Sequence, residues 1–375
     1  MDVIKKSDAE TAAPSPSSGI APIRVMVVDS SLVIRGLISR MLREDSRIEV
    51  VASAADGARA IDRVSEGGID IVILDTEMPG MDGITAIPKL LKADPAITVI
   101  MASTLTTRDA EITMRALQAG AADCIPKPNT NREVFEAADF KREFLEKVLA
   151  LGARRTRRRR ADIAPATPGG KPLGTFKTRK PGKGRIKILA IGSSTGGPCA
   201  LQELLASLPY PLKIPVVITQ HMPAMFTRLL AETLSKIQNI DCQEAVDGEA
   251  VLPNRVLIAP GDSHMEFRAD DGVLRVALHQ GPKINFCRPA VDPMLSSLVS
   301  HFGGGVLCTI LTGMGSDGLI GAEAVIARGG TVIAQDEPSS VVWGMPGAVA
   351  RAGLCAAILP INQLGAEIGA LIRSH

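Results

Sequence analysis

Short apolar runs alternate along the chain with polar turns and stretches of helical period. The first half reads strand, helix, strand, helix: RVMVV (24–28) suits a buried strand, 32–43 a helix, EVVASA (49–54) a second strand and 58–65 a second helix. DIVILD (70–75), TVIMAS (98–103) and a short CIP (124–126) supply three more strands, and Phe135, Phe140, Phe144 and Val148 mark a closing helix. Five such β/α units in about 125 residues predict a doubly wound parallel sheet with helices on both faces, in flavodoxin-type order.

The pattern restarts at Ile186. IKILAI (186–191) is an apolar run, and from Pro198 a helix follows with Leu201, Leu204, Leu205 and Leu208 on one side. KIPVVITQH (213–221), RVLIAP (255–260), GVLCTIL (305–311) and TVIAQD (331–336) read as further strands, with a helix over 319–328. Residues 264–278 read as a hairpin turning at Asp270-Asp271-Gly272. The expectation is a second, larger doubly wound α/β domain, mostly parallel, with one local antiparallel hairpin.

A chain of 375 residues has room for both units. The predicted division is a disordered tail (1–22), a first domain (23–148), a Gly/Pro-rich linker (149–185) and a second domain (186–375). Charge sharpens the linker. Residues 152–185 hold twelve Lys/Arg and one acid, leaving 30 bases and 39 acids elsewhere, so the net +2 hides an acidic pair of domains. The segment reads as solvated and self-repelling, with attraction to anionic membrane or nucleic acid as the second reading.

Aromatics at 3% argue against a stacking binder of single strands. No apolar run reaches membrane-spanning length and no secretory signal is visible. The six scattered cysteines form no C-x-x-C pair and the five histidines no zinc spacing, which points to a reduced, cytoplasmic protein without a structural metal.

Polar residues at strand C-terminal ends carry the candidate chemistry. In the first domain these are Asp29, Asp75 and Ser103, with Lys127 just after the fifth strand. Together they can serve one phosphoryl group and one Mg²⁺: carboxylates for the ion, one carboxylate as phosphoryl acceptor, a hydroxyl and a cation for the phosphoryl oxygens. In the second domain Ser193, Ser194 and Thr195 occupy a glycine-rich strand-to-helix turn. By itself that turn fits a phosphate cradle, a nucleophile or a plain structural turn. His221 and Asp317 also follow strand ends, so hydroxyl, imidazole and carboxylate can meet on one edge as a triad.

Two resemblances bear on these candidates. V-V-D-S-S, L-D-T-E-M-P-G-M-D-G, M-A-S-T and A-A-D-C-I-P-K-P resemble the motifs of a response-regulator receiver domain. The resemblance implies that Asp75 is the phosphoacceptor, with Asp29, Ser103 and Lys127 in support and Asp29 and Asp75 on Mg²⁺. Ser30 stands where the family has its second acid, which implies weaker metal binding, and Cys124 where it tends to carry an aromatic switch.

G-S-S-T-G-G-P (192–198), Q-H-M-P (220–223), I-A-P-G-D-S-H-M (258–265), R-P-A-V-D (288–292), L-T-G-M-G-S-D-G (311–318) and W-G-M-P-G-A (343–348) resemble the chemotaxis protein-glutamate methylesterase domain. That resemblance implies Ser194 as nucleophile, His221 as base and Asp317 as orienting acid, with Thr195 and Met314 beside them and the Met314 N–H as an oxyanion donor. Ser316 replaces a common Asn without removing a catalytic group.

The resemblances imply a phosphorylation-regulated hydrolase that demethylates, and deamidates, chemotaxis receptors. It would need no cofactor for ester cleavage and take its phosphoryl group from the chemotaxis histidine kinase. They further imply that the unphosphorylated receiver packs over the catalytic edge. Two other classes are a phospho-receiver adaptor with a dead hydrolase domain and a DNA-binding regulator. The intact Ser194, His221 and Asp317 speak against the first. The lack of a helix-turn-helix after the receiver speaks against the second, and no specific nucleic-acid partner is expected.

Overall fold

The apolar runs of the first half become, in a computed structural model of the chain, the strands of one parallel sheet. The structure describes residues 21–103, 107–127, 138–163 and 176–374. Strands β1 (Ile23–Val28), β2 (Ile48–Ala54), β3 (Ile71–Asp75), β4 (Thr98–Ser103) and β5 (Asp123–Pro126) lie in the order β2-β1-β3-β4-β5, all pairs parallel. This is the flavodoxin-type order expected. Helices α1 (Leu32–Leu42), α2 (Gly57–Ser65), α3 (Gly83–Ala93), α4 (Thr107–Gln118) and α5 (Ala138–Ile163) follow the strands. Ser31, Asp56 and Asp82 each accept a backbone N–H from the first turn of α1, α2 and α3, caps worth about 1 kcal/mol apiece. Helix α3 escaped the pattern reading because Pro88 interrupts it.

The linker expectation needs correcting at both described ends. Helix α5 runs on through Ile163, well past 149, because Phe144, Val148 and Leu151 bury against the first sheet. Arg155 extends that anchorage by pairing with Asp70 at 3.2 Å and with Asp94. Residues 176–185 lie along the second domain: the Phe176 and Trp343 rings are 5.1 Å apart, and Gly182 N–H donates to Thr331 Oγ1 at 2.9 Å. A Cβ at Gly182 would come within 2.0 Å of the Gly329 carbonyl oxygen, so only glycine passes there. The missing apolar periodicity of the sequence hid both pieces. The tail over 1–20, Phe135 and residues 164–175 lie outside the described residues.

The second domain comprises β6 (Ile188–Ser193), β7 (Val216–Gln220), β8 (Asp241–Glu244), β9 (Arg255–Ile258), the hairpin β10 (His264–Asp270) and β11 (Val273–His279), then β12 (Val306–Ile310), β13 (Thr331–Gln335) and β14 (Ala357–Leu359). Seven of these form a parallel sheet in the order β14-β13-β12-β6-β7-β9-β8, and the hairpin stands apart. The hairpin turns on Asp271 and Gly272, both left-handed, at φ 48° and 78°. Helices α6 (Gly197–Ser207), α7 (Ala224–Leu234), α8 (Val291–Phe302), α9 (Leu319–Ala327), α10 (Met345–Arg351) and α11 (Ile361–Arg373) cover it.

Strand β6 organises this domain. Its side chains alternate between two apolar layers: Leu189 and Ile191 join Leu201, Leu204 and Leu205 of α6, while Ile188 and Ala190 join Leu295 and Leu298 of α8. Each fully buried leucine contributes about 1.5–3 kcal/mol. The chain leaves β6 toward β7 on one side and returns to β12 on the other. That reversal makes β6 a topological switch point, where parallel sheets open a crevice beyond their C-terminal ends. Among the described residues no helix is long and apolar enough to cross a membrane.

Candidate active site

The crevice at β6 is where the three hydroxyls fall. Its neighbours are stitched to it: Ser194 N–H donates to the Thr312 carbonyl at 3.0 Å and His221 N–H to the Ser193 carbonyl at 3.1 Å. The hydroxyls then differ in their commitments. Ser193 Oγ is buried and donates to Gln220 Oε1 at 2.6 Å, while Thr195 Oγ1 donates to Asp123 Oδ2 at 2.9 Å. Ser194 is half-buried, and its hydroxyl makes no hydrogen bond among the described residues. Gln220 Nε2 donates to the Ser194 carbonyl at 2.9 Å and so holds the turn from behind. Close approach explains the glycines: a Cβ at Gly197 would meet Gln220 Oε1 at 1.9 Å, and one at Gly313 would meet Ser194 Cβ at 2.9 Å.

His221 Nε2 lies 2.7 Å from Asp317 Oδ2, leaving Nδ1 as the second nitrogen, and Cys287 Sγ sits 3.3 Å from it. Asp317 is buried and also accepts the Val291 N–H at 2.6 Å and the Asp292 N–H at 3.2 Å, donors that α8 leaves unpaired in its first turn. Burial works against the Asp317 charge, but His221, these N–H groups and Asn285 outweigh it and hold the carboxyl down at about 2. Burial likewise works against an imidazolium at His221, and Cys287 and Asp317 outweigh it to push the ring up to about 10. Asp292 is pushed up to about 6, chiefly by burial and then by the neighbouring Asp317, against the pull of the Gly321 N–H.

Of the sequence candidates, His221 and Asp317 are in direct contact, with Ser194 on the adjacent strand end. Ser194 and His221 share no hydrogen bond in this conformation among the described residues. Met314 is half-buried and packs against a cluster that joins Val342 to first-domain residues such as Phe144, and Ser316 is exposed. Gln220, Asn285, Cys287 and Asp292 were missed as site residues. Gln220 carried a signal as a polar residue closing a fully buried strand, and Asp292 as the last residue of the R-P-A-V-D motif.

The first domain has its own cluster. Asp29, Asp75 and Ser103 are buried at the ends of β1, β3 and β4, and Lys127 Nζ stands 3.0 Å from Asp29 Oδ2 and 2.5 Å from Asp75 Oδ1. Burial pushes the Asp75 carboxyl up, as does Asp29, while Lys127 pulls it down. Glu77 N–H also donates to Asp75 Oδ1, at 3.0 Å. Gly83 lies so close that a Cβ would meet the Asp75 carbonyl oxygen at 2.2 Å. Two carboxylates against one ammonium leave a negative excess, a donor set that fits a hard divalent cation. Ser30 is exposed beside it.

The two domains meet beside the β6 crevice. Besides Thr195 and Asp123, Cys199 Sγ donates to the Leu117 carbonyl at 3.4 Å, and α4 packs on α6 and α7. Arg142 of α5 places its guanidinium 3.8 Å above the Phe286 ring. The first domain therefore rests on the residue that follows Ser194.

Two family models match the chain: a response regulator receiver domain over residues 25–139 and CheB methylesterase over residues 189–368. The protein-glutamate methylesterase/protein-glutamine glutaminase of Azospirillum brasilense is 51% identical over 377 residues, covering 96% of this chain and 95% of its own. A namesake of the group 2 operon of Rhodospirillum centenum is 51% identical over 380 residues, 96% of each chain. Among solved structures, the CheB methylesterase catalytic domain of Thermotoga maritima shares 42% identity, spanning 51% of this chain and 99% of that one at a TM-score of 0.49.

Proposed function

The chain belongs to the CheB methylesterase family, with receiver and hydrolase in one polypeptide, and on that premise we propose that Ser194, His221 and Asp317 form its catalytic triad. It is a hydrolase of protein glutamate γ-methyl esters and a glutaminase of protein glutamines. Ser194 Oγ attacks the γ-carbonyl carbon of the substrate side chain. Its proton passes to His221 Nδ1, the nitrogen that Asp317 leaves unused, and on to the departing methanol, or to ammonia from glutamine. Water then adds to the acyl-enzyme with His221 again as base, releasing glutamate and free Ser194. The developing oxyanion takes backbone N–H groups of the turn, Met314 foremost; losing one such donor typically costs ~10²–10³ in rate.

The observation that carries this reading is the 2.7 Å contact of His221 with Asp317 beside the one uncommitted hydroxyl at the β6 switch point. Its test is methanol release from methylated receptor. Ser194→Ala abolishes turnover, and Ser193→Ala and Thr195→Ala retain it. Turnover surviving in Ser194→Ala overturns the assignment.

The substrates are methyl-accepting chemotaxis receptors, and the chemotaxis histidine kinase is the phosphodonor. Asp75 accepts the phosphoryl group, with Ser103 and Lys127 on its oxygens. Asp29 and Asp75 would hold Mg²⁺, which when bound neutralises phosphoryl charge. The unphosphorylated receiver covers the hydrolase crevice, and phosphorylation loosens it. The hydrogen bond from Thr195, next to Ser194, to Asp123 supports this control.

A further inference from the structure

Ile284 to Cys287 form a tight turn that the catalytic scheme leaves unused. The Ile284 and Cys287 N–H groups each donate to the other's carbonyl, at 3.1 and 2.8 Å, and Asn285 and Phe286 between them take φ of 50° and 63°. Both central residues are thus left-handed, the geometry of a type I′ turn, which asparagine tolerates and phenylalanine resists. Such a turn persists only where its surroundings hold it. Arg288 does so from one side, bonded to Asp262 at 2.6 Å and to the Gly281 carbonyl at 2.8 Å. Buried His264 does so from the other, contacting the Pro282 carbonyl at 3.0 Å and accepting the Ala290 N–H at 3.2 Å.

What the turn presents is the amide of Asn285. Its Nδ2 lies 3.1 Å from Asp317 Oδ1 and 3.1 Å from Asp292 Oδ2, so each hydrogen reaches a different carboxylate. Asp317 and Asp292 are 2% and 6% exposed, while Asn285 itself is exposed and lies over them from the solvent side. Asp292 has its own duty, since its Oδ1 accepts the Gly321 N–H of α9 at 2.7 Å. Two buried carboxylates side by side repel each other unless a donor stands between them. The Asn285 amide is that donor. It leaves Asp317 Oδ2 facing His221 and Asp292 Oδ1 facing α9.

We propose that Asn285 is a positioning residue of the hydrolase: it holds the Asp317 carboxylate in the orientation that presents Oδ2 to His221, by donating to Asp317 Oδ1 and Asp292 Oδ2 at once. This rests on the reading of Asp317 as the orienting acid. The adjacent Phe286 projects outward, 70% exposed, under the Arg142 guanidinium, so the receiver grips the same turn. The charged and titratable groups around the Asp317 carboxylate are His221 and Asp292, with Cys287 on the far nitrogen of His221.

The test uses the full chain, activated with a small-molecule phosphodonor and Mg²⁺, and follows methanol release against pH. Asn285→Gly suits the left-handed backbone and removes only the amide. It lowers kcat about tenfold, the low end for a hydrogen bond to a charged group because water substitutes in part, and leaves KM within about twofold. Asn285→Asp also suits the turn but adds a third carboxylate. It lowers kcat further and moves the rising limb of the pH profile upward, because added negative charge favours the His221 imidazolium. Adding Asp292→Asn to Asn285→Gly removes the repelling charge and recovers part of the loss. Full kcat in Asn285→Gly, or an unmoved limb in Asn285→Asp, overturns the proposal. Turnover persisting in Ser194→Ala instead overturns the triad beneath it, whatever Asn285→Gly does.

Discussion

The Asp75 cluster and the hydrolase crevice use the same architecture and opposite electrostatics. Both lie beyond the C-terminal ends of a parallel sheet, on adjacent strands. At Asp75 the strand ends deliver the charges themselves, two carboxylates around one ammonium, and burial lifts the Asp75 carboxyl. That arrangement favours a cation and a phosphoryl group. At Asp317 the carboxylate, with Asp292 beside it, is wrapped by backbone N–H groups of α8, an amide and an imidazole, and is held low. That arrangement fixes a charge so that it cannot leave. On the proposed roles, the first site changes its charge state and the second keeps one while a proton moves past it.

The largest effect expected from this contrast is on Asp317. Asp317→Asn keeps the shape and removes the charge; by analogy with triads elsewhere, kcat falls about 10⁴-fold. The pH profile gives the sign. As the proposed base, His221 acts only when neutral, and Cys287 and Asp317 raise its pKa to about 10, so activity of the resting chain is expected to rise on the alkaline side. Without the carboxylate the imidazolium is less favoured, and the rising limb of the residual activity moves down toward the ordinary histidine range near ~6.5. A limb that stays in place shows that Asp317 does not govern His221.

The middle-sized effect concerns the receiver. Helix α5 belongs to the first domain through Leu151 and Arg155, so a cut at residue 150 would tear it. A cut within 164–175 removes the receiver whole and leaves Phe176 on Trp343. The hydrolase fragment then shows basal activity raised about tenfold, within the range of ordinary inter-site coupling. Asp75→Asn in the full chain leaves basal activity unchanged and abolishes stimulation by a phosphodonor. A fragment no faster than the resting chain removes the inhibitory role.

How much of this was legible follows from where each residue sits relative to an apolar run. Asp29 and Asp75 stand at the ends of RVMVV and DIVIL, so the strand pattern itself marks them. Ser194 stands just past β6 in the same way, but only the family motif separates it from Ser193 and Thr195. The structure adds a physical reason, since those two hydroxyls are engaged by Gln220 and Asp123. Asp317 lies in a glycine loop beyond β12, where its place after a strand end made it a triad candidate and the motif around it supported that role. Asn285 and Cys287 were not legible at all. Their contacts exist because His264 and Arg288, from other parts of the chain, pin the loop that carries them.

The smallest effect tests whether the two regions communicate through a side chain distant from both reactive centres. Arg142 leans on Phe286 at 3.8 Å, on a turn whose flanking residues touch Asp317 and His221. A cation over an exposed ring contributes ~0.5–1 kcal/mol, so Arg142→Ala weakens receiver docking by roughly two- to fivefold. Basal esterase activity rises by about that factor, while activity after full phosphorylation is unchanged because the contact is then already released. The comparison variant is Phe286→Ala, which removes the same contact from the hydrolase side. If Arg142 and Phe286 act only on each other, the double variant matches either single one. Additive gains would mean that the two side chains restrain the hydrolase separately, and that the turn is not where the receiver takes hold.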